Sequence, residues 1–139
     1  MTLEEFNLKY EYIHDINRWG VNDLWEIMEL SDGKYLGDCE SYVLTLIAKV
    51  DGFKDLEPWY CERLDGTTII GHCVGKLGDK WIDCNYQMFT DKQTVCGRYT
   101  TSRPMGKFEV WWNIQKSKLF KVTYKHFPKV AVYVTNYLK

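Results

Sequence analysis

The sequence predicts an α+β fold in which N-terminal helices pack on an antiparallel sheet. Apolar residues recur every three or four positions up to about residue 50, and every second position from residue 59 onward. Charge divides near the same place, because residues 1–66 hold 15 acids and 6 bases whereas residues 67–139 hold 4 acids and 12 bases. With 139 residues, 45% of them hydrophobic, the chain is expected to form one domain over 1–139.

Three helices are predicted in the acidic N-terminal part. The first begins at a capping box, in which the side chains of Thr2 and Glu5 each satisfy the other residue's amide, and it ends at Gly20. A short second helix is expected from the spacing of four apolar residues: Val21, Leu24, Trp25 and Met28. The third begins at Asp38, a favourable N-cap, and carries one apolar stripe as far as Val50.

Strands are predicted after the helices. A core hairpin is expected from segments 59–64, 67–76 and 80–86, which are separated by the glycine turns Asp65-Gly66 and Gly78-Asp79.

The remaining segment is also expected to be rich in strands. Its predicted elements are a strand at 94–101, a hairpin of 108–114 with 119–125 around Lys116-Ser117, and a last strand or helical turn at 131–137. The predicted domain thus consists of a helical layer with the core hairpin over 1–86, followed by a basic, strand-rich part over 87–139.

The segment Gly37-Asp38-Cys39-Glu40 places a thiol at the first turn of the third helix. The positive end of the helix dipole favours the thiolate form of Cys39, and the free amides at that end can bind an oxyanion. Asp38 opposes this effect, because a neighbouring carboxylate raises the pKa of a thiol. Cys39 is therefore a candidate nucleophile, and it requires a base and an acceptor that orients the base.

His72 and Asp83 have the spacing for those two roles. With a two-residue turn at Gly78-Asp79, His72 lies opposite Asn85, and Asp83 is its diagonal neighbour on the same face. A four-residue loop would instead place His72 directly opposite Asp83, and both registers keep the two side chains on one face. Asn85 is the alternative orienting residue, and Trp81 on this face is expected to shield the site from water.

Several of these segments resemble the transglutaminase-like cysteine proteinases of bacteriophages and bacteria, which belong to the papain-like and transglutaminase-like superfamily. Within residues 5–86, the matching elements are Trp19-Gly20-Val21-Asn22-Asp23-Leu24-Trp25, Glu29, Gly37-Asp38-Cys39-Glu40, Tyr42, Gly71-His72 and Ile82-Asp83. The resemblance implies a papain-like fold with Cys39 as nucleophile, His72 as base and Asp83 as the residue that orients His72. The sequence departs from the family pattern at Ser41, Val43 and Cys73, which leaves the substrate open.

The chemistry implied is acyl transfer through a thioester on Cys39. Water as the acceptor gives hydrolysis of a peptide or carboxamide bond, whereas an amine gives transglutamination of protein glutamine; the three residues do not choose between them. We favour hydrolysis and expect a protein or peptide substrate. A peptidoglycan peptidase is a weaker alternative, because its nucleophile segment usually ends in Ser-Gly where Glu40-Ser41 stand here.

Five residues are candidates for lining this site or holding an oxyanion: Asp38, Asn22, Trp25, Trp81 and Asn85. The alternative for the upstream members is structural, with Trp25 packing the helical layer and Asn22 capping the second helix. Glu40 is expected to make a favourable contact with the helix dipole.

The C-terminal part offers a second possible function. Lys116, Lys118, Lys121 and Lys125 are candidates for anion binding on a basic C-terminal sheet, whose partner would be nucleic acid or an acidic protein. This would make the chain a non-catalytic phage protein. The alternative is that these lysines form an ordinary solvated face.

Other classes of function lack support in the sequence. No phosphate-binding glycine loop, zinc-protease motif or serine-hydrolase motif is present, so neither a cofactor nor a metal is expected. The cysteines are odd in number and lack close pairs, so four of them are expected to be packed thiols: Cys61, Cys73, Cys84 and Cys96. Without a long apolar run or a signal peptide, the chain is expected to avoid membranes and to be cytoplasmic.

Overall fold

The computed structural model describes residues 1–21 and 24–137, with side chains described as far as Val132. The helices of this part are α1 (Leu3–Lys9), α2 (Asp15–Trp19), α3 (Cys39–Lys49), α4 (Lys92–Cys96), α5 (Lys107–His126) and α6 (Pro128–Tyr137). Its strands are β1 (Tyr10–Tyr12), β2 (Leu30–Ser31), β3 (Lys34–Gly37), β4 (Glu57–Asp65), β5 (Thr68–Leu77), β6 (Lys80–Ile82) and β7 (Thr101–Pro104). This mixture of helices and largely antiparallel sheets confirms the predicted α+β class.

The strands form two sheets. The small first sheet has the order β1-β3-β2, with β1 parallel and β2 antiparallel to β3. The second sheet has the order β6-β5-β4-β7 and is antiparallel throughout. Because α3 contacts both β3 and β5, the main core lies around α3 and is shared by the two sheets.

The glycine turns of the predicted core hairpin are present. A loop containing Gly66, with φ of 64°, joins β4 to β5, and a loop containing Gly78, with φ of 63°, joins β5 to β6. Glycine adopts this left-handed backbone without a steric penalty, which is why the two turns could be located from the sequence. The β5–β6 register is the one given by the two-residue turn, but β6 ends at Ile82 rather than at residue 86.

The first predicted helix is divided in the structure. The capping box is confirmed, since the Glu5 amide donates to Thr2 Oγ1 at 3.1 Å and the Thr2 amide donates to Glu5 Oε2 at 2.7 Å. The helix ends at Lys9, however, because the chain then enters the first sheet as β1 beside β3. A separate short helix, α2, follows and is terminated by its C-cap Gly20, whose φ is 77°.

The predicted second helix is wrong, because residues 24–29 have no regular secondary structure. Side chains replace the helical hydrogen bonds: Asp15 Oδ2 accepts from the Leu24 amide at 2.6 Å, Ser117 Oγ from the Trp25 amide at 2.7 Å, and Thr45 Oγ1 from the Met28 amide at 2.8 Å. Buried amides must be paired, and here each amide is paired separately by a distant element. The apolar side chains of this segment still reach the core, as their spacing predicted.

The C-terminal part is helical rather than strand-rich. Instead of a hairpin, residues 107–126 form the single helix α5, and α6 follows from Pro128. The basic C-terminal sheet therefore does not exist. The segment contains no glycine or asparagine at the expected turn around Lys116-Ser117, and a spacing of three or four residues places Ser117, Phe120 and Tyr124 on the face that packs inward. Within the described residues, none of the helices, α5 included, is both long and apolar enough to cross a membrane.

The predicted strand at 94–101 is also wrong. Asp91 caps the short helix α4 by accepting a hydrogen bond from the Thr94 amide at 2.7 Å, and only residues from Thr101 onward join the sheet, beside β4. α4 covers the face of the second sheet that points away from α3, where Val95 and Cys96 pack with Cys61. The second sheet is therefore covered on both faces, by α3 and by α4.

Gly37 ends β3 directly before the segment that leads into α3. A Cβ atom at this position would lie 2.6 Å from Met28 Sδ and 2.8 Å from Ser41 Cβ. Both distances are far shorter than ordinary contact. Glycine is therefore required here by the close approach of the 24–29 segment to the start of α3.

We expect Thr45→Val to lower the free energy of unfolding by about 1–3 kcal/mol, because the buried Met28 amide then loses its acceptor while the shape of the side chain is kept. Thr45 is fully buried. Urea denaturation of the two proteins measures the difference.

Thr123→Val is the matched control. Its hydroxyl donates to the Leu119 carbonyl at 3.0 Å in an exposed part of α5, so its removal should change stability by less than about 0.5 kcal/mol. Equal losses for the two substitutions would show that the Met28 amide does not depend on Thr45.

Candidate active site

Cys39 is the first residue of α3, and the helix cap fixes its place. Asp38 Oδ1 accepts a hydrogen bond from the Ser41 amide at 3.4 Å, and the Asp38 backbone is extended, as an N-cap requires. The predicted helix start at Asp38 is therefore confirmed. Cys39 is only 7% exposed, so its thiol is largely shielded from solvent.

The Cys39 thiol has two hydrogen-bond partners. Its Sγ donates to Glu40 Oε2 at 3.2 Å and accepts from the Cys73 amide at 3.4 Å. Cys73 directly follows His72 in β5, so this amide joins the start of α3 to the strand that carries the candidate base. An amide aimed at the sulfur is also placed to donate to an oxyanion formed beside the sulfur.

The surroundings of Cys39 are acidic. Asp38 and Glu40 are both buried, and burial together with the neighbouring Glu40 raises the pKa of Asp38 to about 8. Burial, and then the charge of Glu40, also raise the pKa of the Cys39 thiol well above its usual value. A neighbouring carboxylate was expected to have this effect, but the carboxylate that contacts the thiol is Glu40 rather than Asp38.

His72 and Asp83 form a buried pair. His72 Nε2 lies 2.8 Å from Asp83 Oδ2, and the two residues are 6% and 1% exposed. Asp83 Oδ1 accepts from the amides of Asn85 and Tyr86 at 3.1 and 2.9 Å, which fixes the carboxylate just beyond the end of β6. A carboxylate at Nε2 favours the tautomer with its proton on Nε2 and leaves Nδ1 of His72 as the acceptor.

Cys39 and His72 are brought near each other through Cys73, but their side chains do not share a hydrogen bond among the contacts of the described residues. Cys73 packs in the cluster around α3, whereas Val74, on the same side of β5 as His72, packs against α4. Cys39 thus belongs to the cluster on the α3 side of β5, whereas the His72 side chain lies on the α4 side. A proton transfer between them requires the thiol to leave Glu40 and the two side chains to move together. Free enzymes often complete such contacts only when substrate is bound.

Tyr99 is a site residue that the sequence analysis missed. Its ring stacks on His72, with ring centroids 5.5 Å apart and an angle of 11° between the planes. The Tyr99 amide donates to the Cys96 carbonyl at 2.9 Å, so the end of α4 positions the ring. The segment 94–101 was predicted as a strand, and no local signal in it indicates contact with a histidine distant in sequence.

The other residues predicted to line the site lie in different parts of the fold. Trp25 is buried in the cluster that contains Cys39, and Trp81 is buried in the cluster on the α4 side of the second sheet. Asn85 is exposed and supports Asp83 through its amide, so the acceptor at His72 is Asp83. Asn22 lies outside the described residues.

The four candidate anion-binding lysines lie on α5 and do not behave alike. Lys116, Lys118 and Lys125 are exposed. Lys121 instead forms an ion pair with the buried carboxylate of Glu26, so its charge is already engaged within the chain.

We expect Glu40→Gln to speed the alkylation of Cys39 by iodoacetamide at pH 7 by about 10-fold or more, because loss of a carboxylate in contact with a thiol lowers the pKa of the thiol. The rate is measured against pH, with mass spectrometry assigning the modified cysteine. The midpoint of the pH profile should move down in the variant.

Glu4→Gln is the control, because Glu4 is the second residue of α1 just as Glu40 is the second residue of α3. Both substitutions remove a first-turn carboxylate, but only Glu40 contacts the thiol. An unchanged profile in Glu40→Gln, or the same shift in both variants, would contradict a role for the Cys39–Glu40 contact.

The described residues contain no group of three His, Cys, Asp or Glu side chains arranged to hold a metal ion. Comparison of the chain with known protein families and with curated proteins finds no match. The candidate site is therefore defined by its own geometry: a buried thiol at a helix start, and a buried histidine–aspartate pair on the adjoining strands.

Proposed function

We propose that the chain is a cysteine-dependent hydrolase that cleaves a peptide or carboxamide bond through a thioester on Cys39. The observation that carries the proposal is the buried His72–Asp83 pair, because His72 lies in β5 directly before Cys73, whose amide donates to Cys39 Sγ. These are the residue types expected from the resemblance to transglutaminase-like cysteine proteinases. We propose the papain-like arrangement of that superfamily for this chain as well.

The burial of His72 and Asp83 supports a functional role. Taking an ionisable pair out of water is expensive, and apolar residues of similar volume usually stabilise a fold as well or better. The Asp83 carboxylate nevertheless has all its contacts in place, from His72 and from two amides. A buried histidine–aspartate pair with all these hydrogen bonds, close to a cysteine in the fold, is typical of a site of proton transfer.

In the first step, Cys39 Sγ attacks the substrate carbonyl carbon while His72 Nδ1 takes the thiol proton. Asp83 keeps the other ring proton on Nε2 and stabilises the imidazolium that forms. The carbonyl oxygen becomes an oxyanion, for which the Cys73 amide is the best-placed donor, together with the positive end of α3. His72 then gives its proton to the leaving amine, and a thioester remains on Cys39.

In the second step, water attacks the thioester carbon and His72 takes a proton from it. Collapse of the intermediate releases the acid, and the proton returns to the Cys39 sulfur. An amine in place of water would give transamidation by the same steps, so transglutaminase or deamidase activity on glutamine is the alternative within this chemistry.

In this mechanism, Glu40 keeps the Cys39 thiol protonated before substrate binds. The thiol donates to Glu40 until substrate binding turns the side chain of Cys39 toward His72. A protonated, shielded thiol reacts slowly with oxidants and alkylating agents, so this contact also protects the nucleophile.

The test is a substrate assay in which wild-type protein is incubated with a mixture of casein peptides and with a glutaminyl dipeptide, the latter with and without hydroxylamine. Peptide cleavage indicates a peptidase, ammonia release a deamidase, and hydroxamate formation transfer to an amine. We expect Cys39→Ala and His72→Ala each to reduce the activity at least about 10³-fold, and Asp83→Asn to reduce it about 10²-fold or more.

His126→Ala is the control for His72→Ala, because His126 is exposed near the end of α5. Acylation by p-nitrophenyl acetate serves as a second readout that needs no natural substrate. The proposal fails if no activity depends on Cys39 and if acylation of Cys39 is equally fast with and without His72.

A second candidate function is carried by the outer face of α5. Phe108, Trp111 and Trp112 are 73%, 53% and 49% exposed, which is unusual for rings of this size, and the rings lie side by side. The exposed Lys116 and Lys118 follow on the same helix. Exposed aromatic rings with nearby cations bind single-stranded nucleic acid through base stacking and phosphate contacts.

We expect a fluorescent single-stranded oligothymidylate to bind in low salt, and Trp111→Ala combined with Trp112→Ala to weaken binding at least about 10-fold. Fluorescence anisotropy at several salt concentrations measures the affinity. Tyr12→Ala, which removes an exposed ring away from α5, should leave binding unchanged. Absence of binding, or binding that survives the double substitution, would exclude this function.

A further inference from the structure

Two cysteines that the proposed chemistry does not use meet on the α4 side of the second sheet. Cys61 lies in β4 and Cys96 is the last residue of α4, and their Sγ atoms are 2.8 Å apart. This separation is shorter than ordinary contact between non-bonded sulfur atoms. Both cysteines were expected to be packed thiols, and their separation of 35 positions along the chain gives no sign of this contact.

The two thiols are not equivalent. The hydrogen bond from Cys61 and the positive charge of Lys92 lower the pKa of Cys96, whereas donating that bond raises the pKa of Cys61. Cys96 therefore has the greater thiolate character and is the first to react with an electrophile. Cys61 is the thiol in contact with Cys96.

We propose that Cys61 and Cys96 form a site of reversible oxidation by a hydroperoxide, which converts the two thiols to a disulfide between β4 and α4. The Cys96 sulfur attacks one oxygen of the peroxide, the O–O bond breaks, and Cys96 becomes a sulfenic acid while one water or alcohol leaves. The Cys61 sulfur then attacks the Cys96 sulfur and displaces the hydroxyl group as a second water. The two thiols lose two electrons and two protons, and the peroxide takes them up.

A hydroperoxide is the class of oxidant that fits the burial of the pair. Cys61 is 0% and Cys96 is 6% exposed, so a large disulfide such as oxidised glutathione lacks access to either sulfur. Hydrogen peroxide is close to water in size and needs only a small opening. The pair lies between β4 and the five-residue helix α4, whose C-cap is Gly97.

The site lies beside the candidate base, on the same face of the second sheet. Cys61 is the residue paired with His72 across β4 and β5. Tyr99, which stacks on His72, is held by the carbonyl of Cys96. A disulfide would therefore tie the segment that carries Tyr99 to the strand next to His72. The oxidation site itself is independent of whether Cys39 is catalytic.

The test treats the folded wild-type protein with a small excess of hydrogen peroxide, blocks the remaining thiols and maps tryptic peptides without reduction. We expect peptide 55–63, which contains Cys61, to be linked to peptide 93–98, which contains Cys96. The mass of the linked species should be lower than the sum of the two peptides by two hydrogen atoms, and dithiothreitol should restore both.

Cys96→Ser and Cys61→Ser should each abolish the link, while Cys84→Ser, which removes another buried thiol, should retain it. If a variant fails to fold, peptide mapping of the oxidised wild-type protein alone still tests whether Cys61 and Cys96 are linked. Recovery of the two peptides as separate thiols, at every peroxide concentration that leaves the protein folded, would overturn the proposal. A disulfide that joins Cys61 or Cys96 to a different cysteine would overturn it equally.

Discussion

The packing of α3 against both sheets is the constraint on which the rest of the structure depends. The first eight residues of α3 are buried, so the helix cannot shift without opening the core. This burial places Cys39 against β5, where the Cys73 amide reaches its sulfur. It also brings Thr45 to the amide of Met28, so the irregular segment before β2 depends on the same helix. The position of the candidate site therefore depends on the same contacts of α3 that form the core.

The same burial sets the electrostatics of the candidate nucleophile. A helix N-terminus by itself favours a thiolate, but here two buried acids lie beside the thiol. Desolvation and Glu40 outweigh the dipole, and the pKa of Cys39 rises instead of falling. His72, the candidate base, is already fixed by its contact with Asp83, whereas the candidate nucleophile Cys39 remains protonated. In the proposed mechanism, activation would therefore take place at the cysteine rather than at the histidine.

The success of sequence-based prediction differed between elements for physical reasons. The helix start at Asp38 and the turns at Gly66 and Gly78 depend on local chemistry, namely a side-chain cap and a left-handed backbone, and these were predicted correctly. The hairpin then brought His72 and Asp83 together without further information. α5 was missed because its aromatic and β-branched residues favour strands, while the hydrogen bond from the Trp25 amide to Ser117 spans 92 positions. Tyr99 and the Cys61–Cys96 contact also come from distant segments that only the folded chain unites.

Gly37 has a consequence for how descendants of this protein would diverge. The space beside it is filled by Met28 and Ser41, which pack there whether or not Cys39 carries out any chemistry. A lineage without the proposed reaction would therefore keep this glycine, because its replacement damages the fold itself. The buried polar side chains of His72 and Asp83 would have no such protection, and drift would replace them with apolar residues. In relatives of this chain, Gly37 would therefore indicate common ancestry. Retention of His72 and Asp83 would indicate that the proposed acyl-transfer chemistry is also retained.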